Sequence, residues 1–467
     1  MDNFPLLDRF NNWLKESVMV KLFSIGVLML ILMIPSFWVQ DLIRERQVRG
    51  EEVIAEVAEK WAANQTLTGP VLKIPFRDFV TEKEWTGDVE RTRVVETKRY
   101  AYFLADNLTI DGTVSPEVLQ RGIFDVSVYD SKIKINATFG DIDFAKLNVS
   151  ADQIFWSEAS LVLGITDLQG IHENPKVRSG STSFTSESSG DIGLTMGQHS
   201  SASNYDINRT VVTTGIVVPF DWKSKDDIVK EFSIELDLKG SERLYFVPAG
   251  KTTTVSLSGA WSSPSFDGKM LPTTRNTSGT DFNATWKVLS FNRPIADQWI
   301  DTNEALRGTE FGVRLLIPAD QYQKSMRTAK YDALIILLAF TSLFLVEITR
   351  KVRIHPFQYI LVGVALSVYY TLLLSISEYL GYNAAYAIAS VATIVLLSLY
   401  STTFFKQRSL VLLFSAVMSI FYVFIFVIIQ AEDFSLLIGS VGLFMIIAVV
   451  MYFSRNIRWY KEEAITE

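Results

Sequence analysis

The sequence has no cysteine and only three histidines among its 467 residues. The absence of cysteine excludes disulfides, thiolate metal sites and cysteine nucleophiles. The histidines, His172, His199 and His355, lie too far apart along the chain to form a local zinc motif. The net charge of −7 lacks the basic excess that nucleic-acid binding requires. We therefore expect no metal site, no cofactor and no nucleic-acid partner.

Long apolar runs are abundant, and six of them are long enough to cross the roughly 30 Å hydrocarbon core of a bilayer as helices. In the fifth run, 15 of 20 residues are Leu, Ile, Phe or Val, a composition that strongly favours insertion. The sequence thus predicts an integral membrane α-helical bundle of six transmembrane helices, arranged as one plus five. The runs are 22–39, 331–348, 357–377, 384–405, 410–429 and 434–453.

The first run has two interpretations, a retained transmembrane helix or a signal peptide that is later removed. A cleavage site needs small residues at the end of the run, but bulky Phe37 and Trp38 lie there. Trp38 is also a residue type that anchors helices at the membrane interface. We interpret the run as a retained helix.

The connections between the runs alternate in basic charge, and basic connections stay in the cytoplasm. The segments after the second, fourth and sixth runs are basic, whereas the connections 378–383 and 430–433 contain no Lys or Arg. This alternation predicts cytoplasmic tails at 1–21 and 454–467, with residues 40–330 on the opposite side of the membrane. The basic residues are Arg350, Lys351, Arg353, Lys406, Arg408, Arg455, Arg458 and Lys461.

The long segment 40–330 changes from helical to alternating periodicity. Val53, Val57 and Trp61 recur every four residues and predict a helical lead-in at 41–63. Apolar residues then alternate with polar ones, which is typical of half-buried strands. We predict a large β-rich domain with a sandwich-like architecture. The alternating segments are 124–128, 133–139, 232–238, 255–261 and 311–317.

Residues 179–203 are rich in Ser, Gly and Thr. Such a stretch has little apolar surface to offset the entropy of ordering it. We expect a flexible loop there, and it can also divide the β-rich segment into two subdomains. The sequence leaves that choice open.

Catalytic motifs are scarce. Ser131 to Lys134 matches S-x-x-K, but it lies in an alternating strand pattern, whereas that chemistry needs the Ser at the start of a helix. We predict that the protein is not an enzyme and name no catalytic residues. An enzyme with an acidic site outside the cytoplasm ranks third among the functional hypotheses.

Acidic residues near the spans are candidates for function, because a charge in hydrocarbon is costly. Glu347 falls at the cytoplasmic end of the second run beside Arg350, Lys351 and His355, so we expect an interfacial acid paired with a basic loop. Glu378 ends the third run on the outer side. Both acids remain candidate functional residues, although a structural role is favoured for each.

A cationic cluster precedes the second run. Lys324, Arg327 and Lys330 are spaced at i, i+3 and i+6, which places them on one face of a helix. They can extend to phospholipid headgroups or pair with Asp320. The cluster has either a role in binding lipid headgroups or one in simply anchoring the helix, and membrane lipids are the expected partners at this position.

Six sequence blocks are distinctive. They are GPVLKIPF at 69–76, PSFDGKMLP at 264–272, PADQYQKSMRTAKY at 318–331, HPFQYILVG at 355–363, SEYLGY at 377–382 and RNIRWY at 455–460. Together they resemble the CreD family of bacterial inner-membrane proteins. The resemblance implies one span, a large periplasmic domain and five further spans, in a protein that supports cell-envelope integrity and the response to envelope stress, including β-lactams and colicins. It implies no reaction and no catalytic residues.

The sequence and this resemblance together predict a non-enzymatic protein of the bacterial inner membrane. Its periplasmic domain is expected to contact an envelope component or another membrane protein. The alternative is a transporter or lipid-handling protein that uses the five C-terminal helices.

Overall fold

The computed structural model describes residues 18–86, 89–194, 213–301, 306, 308–317, 321–350, 352–431 and 434–455. The chain forms two compact units. The helical unit contains Met1–Glu51 and Ala319–Glu467, and the strand-rich unit contains Glu52–Pro318.

The helical unit is built from apolar helices. Within the described residues, five helices are long and apolar enough to cross a membrane, namely all except the short α2. This agrees with a multi-pass membrane protein. The helices are α1 (Val18–Trp61), α2 (Gln321–Ala329), α3 (Asp332–Arg350), α4 (Pro356–Ser401), α5 (Arg408–Gln430) and α6 (Ser435–Ser454).

The element α4 contains both the third and the fourth apolar run, so the helix count does not confirm six spans. Its backbone departs from helical geometry at Gly381, where φ is 73° and ψ is 163°. Glycine adopts such a positive φ because it has no Cβ. The Oγ of Ser390 lies 3.5 Å from the hydroxyl of Tyr369, although twenty-one residues of straight helix would separate them by about 31 Å. The chain therefore reverses at Gly381, and α4 consists of two antiparallel halves.

The strand-rich unit confirms that the middle of the chain is rich in β-structure. Most of its strands pair antiparallel, while β1 with β10 and β2 with β11 pair parallel. The strands are β1 (Gln65–Thr86), β2 (Val89–Arg121), β3 (Phe124–Thr138), β4 (Ser160–Ile165), β5 (Lys176–Ser179), β6 (Thr182–Phe184), β7 (Glu187–Ser189), β8 (Gly215–Pro219), β9 (Glu231–Ser241), β10 (Arg243–Val247), β11 (Gly250–Gly259), β12 (Pro264–Gly268), β13 (Thr274–Thr277), β14 (Phe282–Leu289), β15 (Gln298–Ile300) and β16 (Phe311–Leu315).

All described strands belong to one hydrogen-bonded network, whose main path runs β12-β16-β10-β1-β2-β3-β9-β5-β6. The long strand β2 joins its two parts, because its first half pairs with β1 and its second half pairs with β3 and β11. A sandwich has two separate sheets that pack face to face. The sandwich prediction is therefore not confirmed.

The alternating segments of the sequence are strands, and their apolar positions form the core. The prediction holds in β9, where Phe232, Ile234, Leu236 and Leu238 are all buried. The same is true of the apolar positions of β11 and β16. Because alternate side chains point to one face of a strand, the pattern predicted which face is covered.

Along β3, the buried apolar side chains change from even-numbered to odd-numbered positions. Val126 and Val128 are buried against Val53 and Val57 on the last turns of α1, which belong to the strand-rich unit. Farther along β3, burial moves to the odd-numbered positions from Tyr129 to Ala137. The first part of the strand is thus covered on one face by the predicted lead-in helix, which is continuous with the first apolar run in α1.

The described part of the Ser/Gly-rich segment differs from a structureless loop. It contains β6 and β7, and Ile192 and Leu194 are buried. Phe184 also packs against Phe220 and Phe232. A few apolar side chains therefore pack against the core, although the segment as a whole has a polar composition. Residues 195–203 lie outside the described part of the chain.

Candidate functional site in the helical unit

Glu347, in the last turn of α3, is 4% exposed and fully hydrogen-bonded. The Nζ of Lys21 on α1 lies 2.6 Å from its Oε1. The backbone N–H of Ile354 donates to the same oxygen at 3.2 Å, and the Tyr359 hydroxyl donates to Oε2 at 3.1 Å. A buried carboxylate is stable only when it is paired and hydrogen-bonded in this way. The site therefore joins α1, α3 and the start of α4.

This set of partners differs from the expected pairing of Glu347 with Arg350, Lys351 and His355. Lys21 supplies the cation from α1, a partner that no local pattern indicates. Lys351 lies outside the described residues. His355 has a structural role as the N-cap of α4, where its Nδ1 accepts a hydrogen bond from the N–H of Phe357 at 3.2 Å.

Glu378 lies just before the reversal of α4 and contacts two other elements of the helical unit. The Tyr322 hydroxyl of α2 donates to its Oε1 at 3.3 Å, and the Nε of Arg46 on α1 lies 3.8 Å from the same oxygen. Burial raises the pKa of Tyr322 to about 12, and the adjacent carboxylate acts in the same direction. The hydroxyl therefore remains protonated at neutral pH and serves as a donor.

The cationic cluster lies on and just beyond α2. Lys324 and Arg327 are half-buried and Lys330 is exposed. The opposite, buried face of this helix includes Thr328, whose Oγ1 shares a hydrogen bond of 2.6 Å with the Tyr382 hydroxyl. The predicted common face of the cations is thus the more accessible face of α2. Asp320 lies outside the described residues.

Asp332 is a buried acid of the helical unit that the sequence analysis does not identify. It is the first residue of α3 and is 1% exposed. The Ser36 hydroxyl on α1 interacts with the carboxyl group, but neither carboxylate oxygen has a hydrogen-bond partner of acceptable geometry within the described residues. Its place at the start of an apolar run resembles that of an ordinary interfacial acid, which is why the sequence did not reveal it.

The start of a helix offers Asp332 only part of the stabilisation that a buried charge needs. The helix dipole favours a carboxylate there by about 0.3–1 kcal/mol, and by about 2 kcal/mol at most. Burying a charge without a partner costs on the order of several kcal/mol, so the burial cost is the larger of the two. Within the described residues, the Asp332 carboxylate lacks a cation like the one that Lys21 provides for Glu347.

The partners of the two acids define how α1 and α3 pack. Lys21 contacts Glu347 and Ser36 contacts Asp332, and fifteen residues separate the two positions on each helix. The helices are therefore antiparallel. At about 1.5 Å per residue, the two acids lie about 22 Å apart along the axis, so Glu347 and Asp332 occupy different levels of the helical unit.

A cluster of buried tyrosines surrounds the level of Asp332. The Asp332 carboxyl group interacts electrostatically with the hydroxyls of Tyr370 and Tyr422. The Tyr369 ring links them, with its centroid 4.9 Å from that of Tyr370 and 4.8 Å from that of Tyr422. Within the described chain, neither the Tyr370 nor the Tyr422 hydroxyl has a hydrogen-bond partner, and the Oγ of Ser367 also lacks one. This Asp332–tyrosine cluster is a second buried polar site.

In the strand-rich unit, one half-buried lysine links β1 to the end of the Ser/Gly-rich segment. The Nζ of Lys73 lies 4.4 Å from the centroid of the Tyr100 ring and donates to the backbone oxygen of Ile192 at 3.2 Å. Burial lowers the pKa of Lys73, and the nearby Asp191 partly opposes that effect. The contacts indicate a structural role in holding that segment against the sheet.

The strand-rich unit also has a shallow polar groove of about 510 Å³, lined by charged side chains of both signs such as Lys132, Lys134 and Asp237. Ser131 of the S-x-x-K match is buried instead and donates to the backbone oxygen of Leu238 at 2.7 Å. Its hydroxyl is therefore not available as a nucleophile. No group of three or more Asp, Glu or His side chains in the described residues could hold a metal ion.

Comparison with known proteins gives two findings. The family model described as "Inner membrane protein CreD" matches residues 17–460 of the chain. The Inner membrane protein CreD of Escherichia coli (strain K12) is 29% identical over 454 residues, which cover 96% of this chain and 95% of that protein. The similarity thus extends over both the helical and the strand-rich unit.

Proposed function

Because the chain belongs to the CreD family of inner membrane proteins, we propose that it crosses the bacterial inner membrane six times, with its strand-rich unit in the periplasm. The assignment to this family from the sequence blocks is confirmed. That the protein is a multi-pass protein of the inner membrane follows from the family and from its apolar helices. The number of spans and their orientation are part of the proposal.

Two features of the helical unit support six spans. The reversal of α4 at Gly381 divides the third and fourth apolar runs into antiparallel halves, as two adjacent spans require. Because α1 and α3 are antiparallel, Lys21 lies at the end of α3 that contains Arg350 and precedes Arg353. Basic residues then gather at one end of these helices, and that end is cytoplasmic by the positive-inside rule.

The absence of cysteine allows a direct test of this orientation. Phe291→Cys introduces a thiol at a 95% exposed position of the strand-rich unit, and Arg353→Cys does so between α3 and α4. In intact spheroplasts, a membrane-impermeant maleimide should label the first variant but not the second. The second should be labelled only after permeabilisation, and the parent chain should never be labelled. The opposite pattern would contradict the proposed orientation.

We propose that the protein supports envelope integrity without catalysing a reaction. The observation that carries this proposal is the family match over residues 17–460. The strand-rich unit would contact an envelope component or another membrane protein, while the helices hold it at the membrane. The more accessible cations of α2, Arg327 and the adjacent Lys330, would contact lipid headgroups at the outer surface of the inner membrane.

Complementation of cells that lack the protein tests this role. Cells without it should take up more of an excluded dye under β-lactam challenge, and the full chain should restore the barrier. Arg327→Ala with Lys330→Ala should restore it only in part, because each cation near an anionic surface contributes about 1 kcal/mol, so that losing two weakens headgroup binding roughly 30-fold. The control, Arg327→Lys with Lys330→Arg, keeps both charges and should restore it fully.

Equal dye uptake with and without the protein would refute the envelope role. Full restoration by the double alanine variant, at normal abundance in the membrane, would refute the headgroup contact alone.

A second candidate function is transport or lipid handling by the helical unit. The unpaired, buried carboxylate of Asp332 favours this alternative, because ionisable groups inside membrane bundles are commonly part of ion or proton pathways.

A further inference from the structure

We propose that Asp332 is a proton-binding site inside the helical unit, where its carboxyl group takes up a proton from water and returns it. The inference rests on the proposed membrane-spanning arrangement of the helices. Glu347 and Asp332 lie on the same helix and are both buried. Among the described residues, Glu347 has a cation and two hydrogen-bond donors, whereas Asp332 has neither an ion pair nor a hydrogen bond of ordinary geometry.

Within the described residues, the surroundings of Asp332 contain no compensating charge. Asp332 forms no ion pair there, and the Ser36 hydroxyl interacts with its carboxyl group without ordinary hydrogen-bond geometry. The groups that act on it are the Ser36 hydroxyl of α1, the Tyr370 hydroxyl of α4 and the Tyr422 hydroxyl of α5. All three are neutral at physiological pH, so they cannot balance a negative charge.

Binding of a proton is the most direct way to neutralise the uncompensated negative charge of the Asp332 carboxylate. Uptake of one proton from water changes the carboxylate from a charge of −1 to a neutral acid, and the new O–H becomes a hydrogen-bond donor. The unpartnered hydroxyl oxygens of Tyr370 and Tyr422 are acceptors at the same level of the bundle. Protonation would therefore let the carboxyl group donate to one of these oxygens, and it would remove a charge that lies among neutral groups. Release of the proton would restore a charge that the site does not compensate.

The level of the cluster also fits a site between the two surfaces of the membrane. Asp332 lies about 22 Å along α3 from the Lys21–Glu347 pair. Tyr370 and Tyr422 each lie fourteen residues after the first residue of α4 and of α5, which corresponds to about 21 Å. The three positions are thus at similar heights, toward one side of a hydrocarbon core of roughly 30 Å, with Asp332 in the first turn of its helix.

Infrared spectroscopy of the full-length protein in lipid vesicles tests the inference. The parent protein should show a protonated carboxylic acid band at neutral pH that disappears on raising the pH. Asp332→Asn should lack this band, and Glu347→Gln, the matched control on the same helix, should retain it. A band of equal intensity in the parent and Asp332→Asn would overturn the proposal, as would no such band in the parent.

The effect of NaCl and KCl on the infrared band distinguishes a proton site from a metal-ion site. If NaCl abolishes the band at constant pH whereas KCl does not, Na⁺ displaces the proton and the site is a sodium site, which overturns the proton assignment. If neither salt changes the band, the proton assignment stands. Cysteine labelling reads the orientation of the helices independently, so failure of the infrared test with the expected labelling pattern refutes only the role of Asp332.

Discussion

Replacing Trp286 with Ala is expected to lower the free energy of unfolding of the strand-rich unit by about 3–5 kcal/mol, the range for truncation of a buried Trp or Phe. Trp286 lies in β14 and is 1% exposed. Its ring centroid lies 5.8 Å from that of Phe266 and 5.7 Å from that of Phe311, and its Nε1–H donates to the backbone oxygen of Met270 at 3.3 Å. Truncation removes these contacts and leaves a cavity between β12, β14 and β16.

The measurement is the urea concentration at which proteolysis cleaves the strand-rich unit of the full-length protein in detergent. Fragment masses assign each cleavage to one unit, because a chain of two units need not unfold in a single step. Phe291→Ala is the control, since Phe291 is nearby in sequence but 95% exposed, and it should change stability by no more than about 0.5 kcal/mol. Similar losses in both variants would show that Trp286 is not a core residue.

Lys21→Met is expected to destabilise the helical unit by about 2–3 kcal/mol. Removing one partner of a buried ion pair typically costs about 3–5 kcal/mol. The lower value applies here because Lys21 is 37% exposed, so that water already screens part of the interaction. The variant leaves the Glu347 carboxylate buried, with only the N–H of Ile354 and the hydroxyl of Tyr359 as donors.

Glu347→Gln should cost less, about 1 kcal/mol, because it removes the buried charge and leaves Lys21 partly in water. The double variant should be more stable than Lys21→Met alone, since no charge is then buried without a partner. Thermal denaturation of the purified protein in detergent measures all three variants, and the exposed Lys330→Met is the control. Simple additivity of the two single effects would contradict the pairing.

The sequence predicted the features that arise from local, additive properties. Each apolar run carries its own transfer free energy, so the runs correspond to long helices whatever their neighbours are. The alternation in β9 likewise predicted that Phe232 and Ile234 face the core, because side chains of a strand point to alternate faces. The spacing of Val53 and Val57 indicated the buried stripe at the end of α1 for the same reason.

The strand architecture could not be predicted in this way. The strand β2 pairs with β1 in its first half and with β3 and β11 in its second. Its neighbour β11 begins at Gly250, more than a hundred residues later in the chain. Alternation specifies which face of a strand is buried, but it contains no information about which distant strand lies beside it. The sandwich prediction is therefore not confirmed, and the described strands form a single connected network.

The functional acids show the same division between local sequence and tertiary contact. The sequence alone determined that Glu347 and Glu378 lie near the ends of apolar runs, because that depends only on their positions along the chain. Only the tertiary structure decided that Glu347 receives a cation from Lys21 and that Asp332 receives none from the part of the chain that the structure describes. The physical reason is that the cost of a buried charge is set by groups brought close in space, and those groups lie on α1, more than 290 residues away in the chain.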